Sequence, residues 1–198
     1  YDVLNEKLAR CAAVIIRERG KFISELAEIA KTTGLKLSKG KEELTFSYKA
    51  PSSVSDYNSP DLENVLYEHL KKRRDAEFAS EMCLVGDDFE VFINGESARD
   101  FGSQGQIRSS VLSIKVAEHE ILSKASGEAP ILLLDDVLSE LDDKRQEYIF
   151  NNIEGFQVFI TGCDIEKSSM LKNGNVFYVE NGKFKNRKEK DLQKRTVW

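Results

Sequence analysis

The sequence predicts an α/β fold, and three observations carry that prediction. Ile131-Leu132-Leu133-Leu134 is a continuous apolar run with no polar alternation, the pattern of a strand buried on both faces of a parallel sheet. Gln157 to Thr161 is a second such run, and the stretch Ser139 to Asn151 between them reads as a helix, completing a strand–helix–strand unit. Ahead of this unit the chain changes character and is mostly helical.

The elements follow in order. From Asp2 to Thr32, Leu4, Leu8, Cys11, Ala12, Ile15, Ile16, Ile23, Leu26, Ile29 and Ala30 recur at three- and four-residue steps, which predicts one amphipathic helix, bent near Gly20 and stopped by Thr33-Gly34. Lys36 to Ser38 and Leu44 to Tyr48 alternate around Lys39-Gly40-Lys41 and predict a small hairpin. Ala50 to Pro60, rich in Ser, Pro and Asn, is a connector. Asp61 to Ala79 is helical again, with Leu62, Val65, Leu66, Leu70 and Phe78 inward. Phe89 to Ile93 is a strand entering a tight Asn94-Gly95 turn. Ser109 to Ala125 is a helix carrying Val111, Leu112, Ile114, Val116, Ala117, Ile121 and Leu122, and Val176 to Val179 with Lys183-Phe184 closes the chain as a hairpin about Asn181-Gly182.

Composition narrows the function classes. The chain has 198 residues, 40% hydrophobic and 32% charged, which describes a soluble globular protein with a sizeable core. No apolar run is long enough to cross a bilayer, so no membrane role is expected. Tyr1-Asp2-Val3-Leu4 has neither an initiator Met nor a signal-peptide profile and reads as a point inside a longer chain. Cys11, Cys83 and Cys163 are few and widely spaced; they point to a reducing, cytoplasmic setting, to no metal site, and to small buried apolar roles. Net charge is −5, although Lys71-Lys72-Arg73-Arg74 and the tail from Lys183 to Arg195 are basic; both read first as solvated surface. His69 reads as a surface residue, His119 as packed or solvated, and two lone histidines make no zinc site. Trp198 reads as a frayed end.

Two segments carry chemistry. Asp135-Asp136 ends the apolar strand, and ligands of a parallel sheet sit beyond the carboxyl ends of its strands. Two acids there can hold a magnesium ion and polarise an attacking water. Val137-Leu138-Ser139-Glu140-Leu141-Asp142 then sets a second acid-flanked turn on the same sheet edge. Upstream, Phe101-Gly102-Ser103-Gln104-Gly105-Gln106-Ile107-Arg108 opens a helix with exposed backbone N–H groups, an anion-binding arrangement.

Taken together, Gly-Ser-Gln-Gly-Gln-x-Arg, the helix with Lys115-Val116-Ala117-Glu118, and Leu-Leu-Leu-Asp-Asp-Val-x-Ser-Glu-Leu-Asp resemble the RecF family, bacterial recombinational-repair ATPases related to the SMC and ABC ATPases. The resemblance runs through essentially the whole chain. It implies a helical lobe II over residues 1–81, and over residues 82–198 the C-terminal half of an ABC-type ATPase lobe. It implies that Ser103, Gln104, Gly105 and Gln106 form the signature that touches the γ-phosphate held by a partner subunit, and that Arg108 braces the signature or faces the phosphates. Asp135 becomes the Walker B acid for Mg2+ and Asp136 the general base. Ser139, Glu140, Leu141 and Asp142 become the D-loop, and Thr161 stands at the position of the switch residue, usually His. The family implies ATP-dependent homodimerisation on gapped or single-strand/double-strand junction DNA, cooperation with RecO and RecR to direct RecA, and a part in DNA replication and the SOS response.

The sequence departs from the family pattern twice. The family's Walker A belongs to a preceding part, and no P-loop pattern occurs in these residues, so this chain alone is expected not to hydrolyse ATP while the full-length protein is a slow ATPase. Around Leu84 to Phe89 the family segment Gly-Pro-His-Arg-Asp-Asp is three residues short between Gly86 and Asp87, leaving a deletion or omitted residues as explanations. A second function class stays open: a non-catalytic module that docks to DNA or to a partner through its basic clusters. A P-loop upstream of Tyr1 would discriminate the two.

Overall fold

The computed structural model describes residues 2–51, 54–74, 87–136, 141–152, 157–163 and 174–185. Helix α1 spans Asp2–Leu37, far longer than any other element. Strand β1 (Leu44–Lys49) and helix α2 (Leu62–Arg74) follow, then β2 (Asp88–Ile93), β3 (Glu96–Ser97), the single turn α3 (Ala98–Phe101) and helix α4 (Gln104–Ser126). Strand β4 (Ile131–Leu134), helix α5 (Asp143–Asn152) and strand β5 (Gln157–Ile160) make the strand–helix–strand unit, and β6 (Tyr178–Glu180) with β7 (Lys183–Lys185) makes the closing hairpin about Asn181-Gly182.

Helix α1 organises the molecule because two partners share its length. Its first half packs on α2 through Ala9, Ala12, Ala13 and Ile16 against Leu62, Leu66 and Leu70. Its second half packs on α4 through Leu26 and Ala30 against Ala117 and Ile121. The buried stripe is made largely of small residues, so the helices approach closely, and the larger Leu4 and Ile15 expected inside remain 55% and 41% exposed. Gly20 is a close-packing residue within α1: a Cβ there would lie 2.4 Å from the Tyr57 ring. Gly34 is likewise a close-packing residue, with Leu44 2.7 Å from the position of its missing Cβ. The expected stop at Thr33-Gly34 is therefore corrected. α1 runs on to Leu37, and the chain turns where Lys39 and Gly40 take positive φ (53° and 80°). Truncating Leu66, which is fully buried at this junction, to Ala is expected to cost about 2–5 kcal/mol, measurable by urea unfolding.

The early hairpin is a second correction. Lys36 and Leu37 are helical, and β1 pairs antiparallel with the distant β2, Leu44 opposite Ile93 and Lys49 opposite Asp88. Alternating residues mark a strand but do not name its partner. The Asn94-Gly95 turn, both residues at positive φ, joins β2 to β3 as its sequence predicts. At the other end of β2, Asp87 receives a hydrogen bond from the Tyr48 hydroxyl (2.6 Å) and pairs with Arg19, which ties this sheet to α1. Burial, then the Asp87 carboxylate, pushes the Tyr48 hydroxyl well above its ordinary value.

β4 and β5 pair in parallel, Leu132 opposite Val158 and Leu134 opposite Ile160. Leu132 and Leu134 share a core with Leu37, Leu112, Leu141 and Ile149, so α1, α4 and α5 cover one sheet face. The expectation of burial on both faces is corrected: Ile131, Leu133 and Phe159 are 55%, 71% and 52% exposed, because no described element lies over them. Cys11 and Cys163 are exposed, contrary to expectation; Cys11 falls on the side of α1 opposite the alanine stripe. Phe78, Cys83, Gly86, the basic tail beyond Lys185 and Trp198 lie outside the described residues. No described helix is long and apolar enough to cross a membrane.

Candidate functional site

The chemistry gathers in two places. The first is the carboxyl end of the parallel pair. The backbone N–H of Thr161 donates to Leu134 O at 3.0 Å, which extends the ladder one step past both strands. This sets the Thr161 hydroxyl between the two acids: it donates to Asp135 Oδ1 and accepts from the Asp136 N–H at 3.0 Å. Asp136 has a φ of 50°, a left-handed conformation that Asp tolerates better than most residues, and both acids are exposed. The sharp turn and the shared hydroxyl hold the Asp135 carboxylate and the Asp136 backbone together at the open strand end. Asp135 keeps a second oxygen beyond its bond to Thr161. Magnesium characteristically takes one or two carboxylates with waters and substrate phosphates, so these acids fit it. Among the described residues no group of three or more His, Cys, Asp or Glu is placed to hold a metal. Thr161→Val removes both hydroxyl bonds at nearly constant volume. It is expected to lower ATP turnover of a full-length protein roughly tenfold, about 1.4 kcal/mol in the barrier, while Thr161→Ser restores it.

The second place is the start of α4. Ser103 caps the helix in a reciprocal box: its hydroxyl accepts from the Gln106 N–H (3.3 Å), and Gln106 Oε1 accepts from the Ser103 N–H (2.9 Å). The helix therefore begins at Gln104, earlier than the apolar periodicity suggests, and Gln104, Gly105 and Gln106 form its first turn. The N–H groups of Gln104 and Gly105 have no partner within the helix by geometry, so the turn keeps donors to offer an anion. Gly102 is a steric requirement, since a Cβ there would stand 2.4 Å from Ala98 O. Ser109, Ser110 and Ser113 are buried one turn further on. Each returns its hydroxyl to the carbonyl four residues back, at 2.8–2.9 Å, which lets small polar residues line the contact with α1. Arg108 is half-buried on this helix. His119 is a packed residue, as expected, with Nε2 donating to Pro130 O at 2.6 Å.

Asp142 belongs with this second group. Its Oδ1 accepts from the Arg145 N–H at 2.9 Å, capping α5, and its Oδ2 pairs with Arg145 Nη1 at 2.9 Å. α5 accordingly begins at Asp143 and not at Ser139. The backbone bond from Arg145, then the guanidinium charge, holds the Asp142 carboxyl below its ordinary value of 3.8. Its folded pKa is depressed, so the stabilisation is complete above that ordinary value and is lost as pH falls through the lower folded one. Gln146, fully buried, donates to Leu141 O at 2.7 Å and fixes the residue before the cap. Ser139 and Glu140 lie outside the described residues. Sequence reasoning missed Arg145 and its partner Glu42; the Asp142-x-x-Arg145 spacing is a local cap signal, but nothing local points to Glu42.

A glycine-opened, capped helix leading to a parallel strand that ends in two acids fits the C-terminal half of an ABC-type ATPase fold. The comparisons agree with this class. No family model matches the chain. The chain is 39% identical over 189 residues to the DNA replication and repair protein RecF of Lysinibacillus sphaericus, matching 92% of this chain and 51% of the relative. It is 44% identical over 189 residues to RecF of Clostridium acetobutylicum, with 92% and 50% covered. A solved structure of the recombination mediator protein RecF-ATP in the RecFOR pathway superposes with a TM-score of 0.73 at 32% identity, over 94% of this chain and 50% of that one. A second, of RecF-ATPrS, gives 0.71 at 33% identity. The chain is RecF-like along nearly its whole length, and it spans about half the length of the curated relatives it matches.

Proposed function

We propose that this chain is the signature- and Walker B-bearing part of an ATP-dependent DNA-binding repair protein, a RecF that dimerises on ATP. The observation that carries the reading is the pairing of Asp135 and Asp136 through the Thr161 hydroxyl at the end of a parallel strand, together with a capped glycine turn at the start of α4. In this reading Asp136 accepts a proton from the attacking water, Asp135 holds the magnesium ion that accompanies ATP, and Thr161 fixes their spacing. Magnesium supplies charge neutralisation at the phosphates when bound. Ser103, Gln104, Gly105, Gln106 and Arg108 face the nucleotide held by a second subunit, and the Ser139–Asp142 turn crosses the same interface. The P-loop comes from the part of a RecF-length protein that this chain does not span, and that part also covers Ile131, Leu133 and Phe159.

The wider role extends the reading: a cytoplasmic dimer on gapped or junction DNA that works with RecO and RecR to place RecA, with hydrolysis timing release. Residues 1–81 serve as lobe II and residues 82–198 as ATPase lobe. The shared core of Leu37 with Leu112 and Leu132 supports lobes that pack as one body. The test is the sedimentation of a RecF-length protein containing this chain, with and without ATP. A shift from monomer to dimer is expected with ATP, and a monomer at saturating ATP would contradict the reading.

A further inference from the structure

Arg145 is the most densely engaged side chain near the proposed nucleotide face. Nη1 pairs with Asp142 at 2.9 Å and Nη2 with Glu42 Oε1 at 2.7 Å, a residue 103 positions earlier. Both ends of the long-range pair are largely buried, Arg145 16% and Glu42 13% exposed by side chain. The guanidinium also lies beneath the glycine turn, Nη1 being 3.5 Å from where a Cβ would stand on Gly105. Its Nε is buried without a hydrogen-bond acceptor, so the group is held here at some electrostatic cost. The planar fork directs separate N–H groups at the two carboxylates from a rigid group, a geometry that an ammonium, a compact charge on a flexible stem, does not reproduce.

We infer that Arg145 is a positioning residue: it sets the register between the glycine turn that opens α4 and the Asp142 turn that opens α5, and anchors both to Glu42 at the end of the first helical segment. The two ion pairs reach separate stretches of chain, the turn that opens α5 and the loop after α1, and the guanidinium stands close beneath the start of α4. Glu42 lies just beyond the α1 stop at Lys39-Gly40, so the guanidinium links the end of α1 to the start of α5. The inference rests on reading those turns as the face offered to a partner's nucleotide.

The experiment uses a RecF-length protein with Arg145→Lys and, separately, Glu42→Gln, and measures steady-state ATP turnover, ATP-dependent dimerisation and amide exchange. KM for ATP, set by the P-loop, is expected to hold, while kcat and dimerisation fall about tenfold for Arg145→Lys and less for Glu42→Gln. Amide exchange is expected to quicken at both Gly105–Ile107 and Arg145. Folded variants with parental kcat and dimerisation overturn the inference, as does faster exchange confined to the α5 start. If the parent itself fails to dimerise on ATP, the nucleotide-face reading falls, and the exchange pattern alone decides whether Arg145 couples the turns.

Discussion

Asp136→Asn in a RecF-length protein is expected to preserve ATP binding and to lower hydrolysis by roughly 10²–10⁴, the usual contribution of a positioned general base. The substitution is suited to the site. Asn shares the shape of Asp and, like it, tolerates the left-handed conformation that Asp136 adopts at φ 50°. The Asp136 N–H keeps its bond to the Thr161 hydroxyl, so the turn is undisturbed and the lost property is the carboxylate's ability to take a proton. Neighbouring Asp135, the proposed magnesium ligand, is unchanged. ATP-dependent dimerisation should persist and become long-lived, because the nucleotide that bridges the subunits is no longer cleaved. Turnover at the parental rate would remove Asp136 from the role of base.

Ser103→Arg is expected to retain ATP binding and to abolish ATP-dependent dimerisation. Two effects combine in it. The helix loses its cap, at about 0.5–2 kcal/mol, and a long cation replaces a hydroxyl at the face proposed to meet a partner's phosphate. Ser103→Asp separates them. Asp caps a helix about as well as Ser and suits the positive end of the helix dipole, so melting should be unchanged, yet its carboxylate would repel a γ-phosphate. Loss of dimerisation in both variants places Ser103 against the nucleotide. Parental dimerisation by Ser103→Asp would confine Ser103 to capping.

Features set by neighbours in sequence were the legible ones. The apolar runs at Ile131–Leu134 and Gln157–Ile160 and the Asn94-Gly95 and Asn181-Gly182 turns each contain their own instruction, and the structure follows it. The acids after β4 stand at the carboxyl end of a parallel strand, as the sequence places them, and that is the edge at which such a sheet presents ligands. What failed depended on distant partners. Leu44 to Lys49 alternates whichever strand it joins, and its partner lies beyond α2. α1 carries apolar residues on more than one side, and which stripe is buried was decided by close packing through Ala9, Ala13 and Gly20, which periodicity of large residues does not weigh. Gly34 looked like a stop because its reason, Leu44 pressing on the helix, is tertiary. The Arg145–Glu42 pair was invisible for the same reason, while the Ser103–Gln106 box was a local signal available at the outset.

The central claim is that this chain offers its signature turn to a nucleotide held by another subunit. Mixing the two inactive variants of a RecF-length protein, Asp136→Asn and Ser103→Arg, tests it most directly. In a head-to-tail heterodimer one composite site combines the intact acids of one subunit with the intact signature of the other. Each heterodimer carries one such site of two, so mixing should raise hydrolysis above that of either variant alone, to at most about half of the parental rate. A mixture no more active than either variant alone, with heterodimers demonstrably formed, would contradict the account.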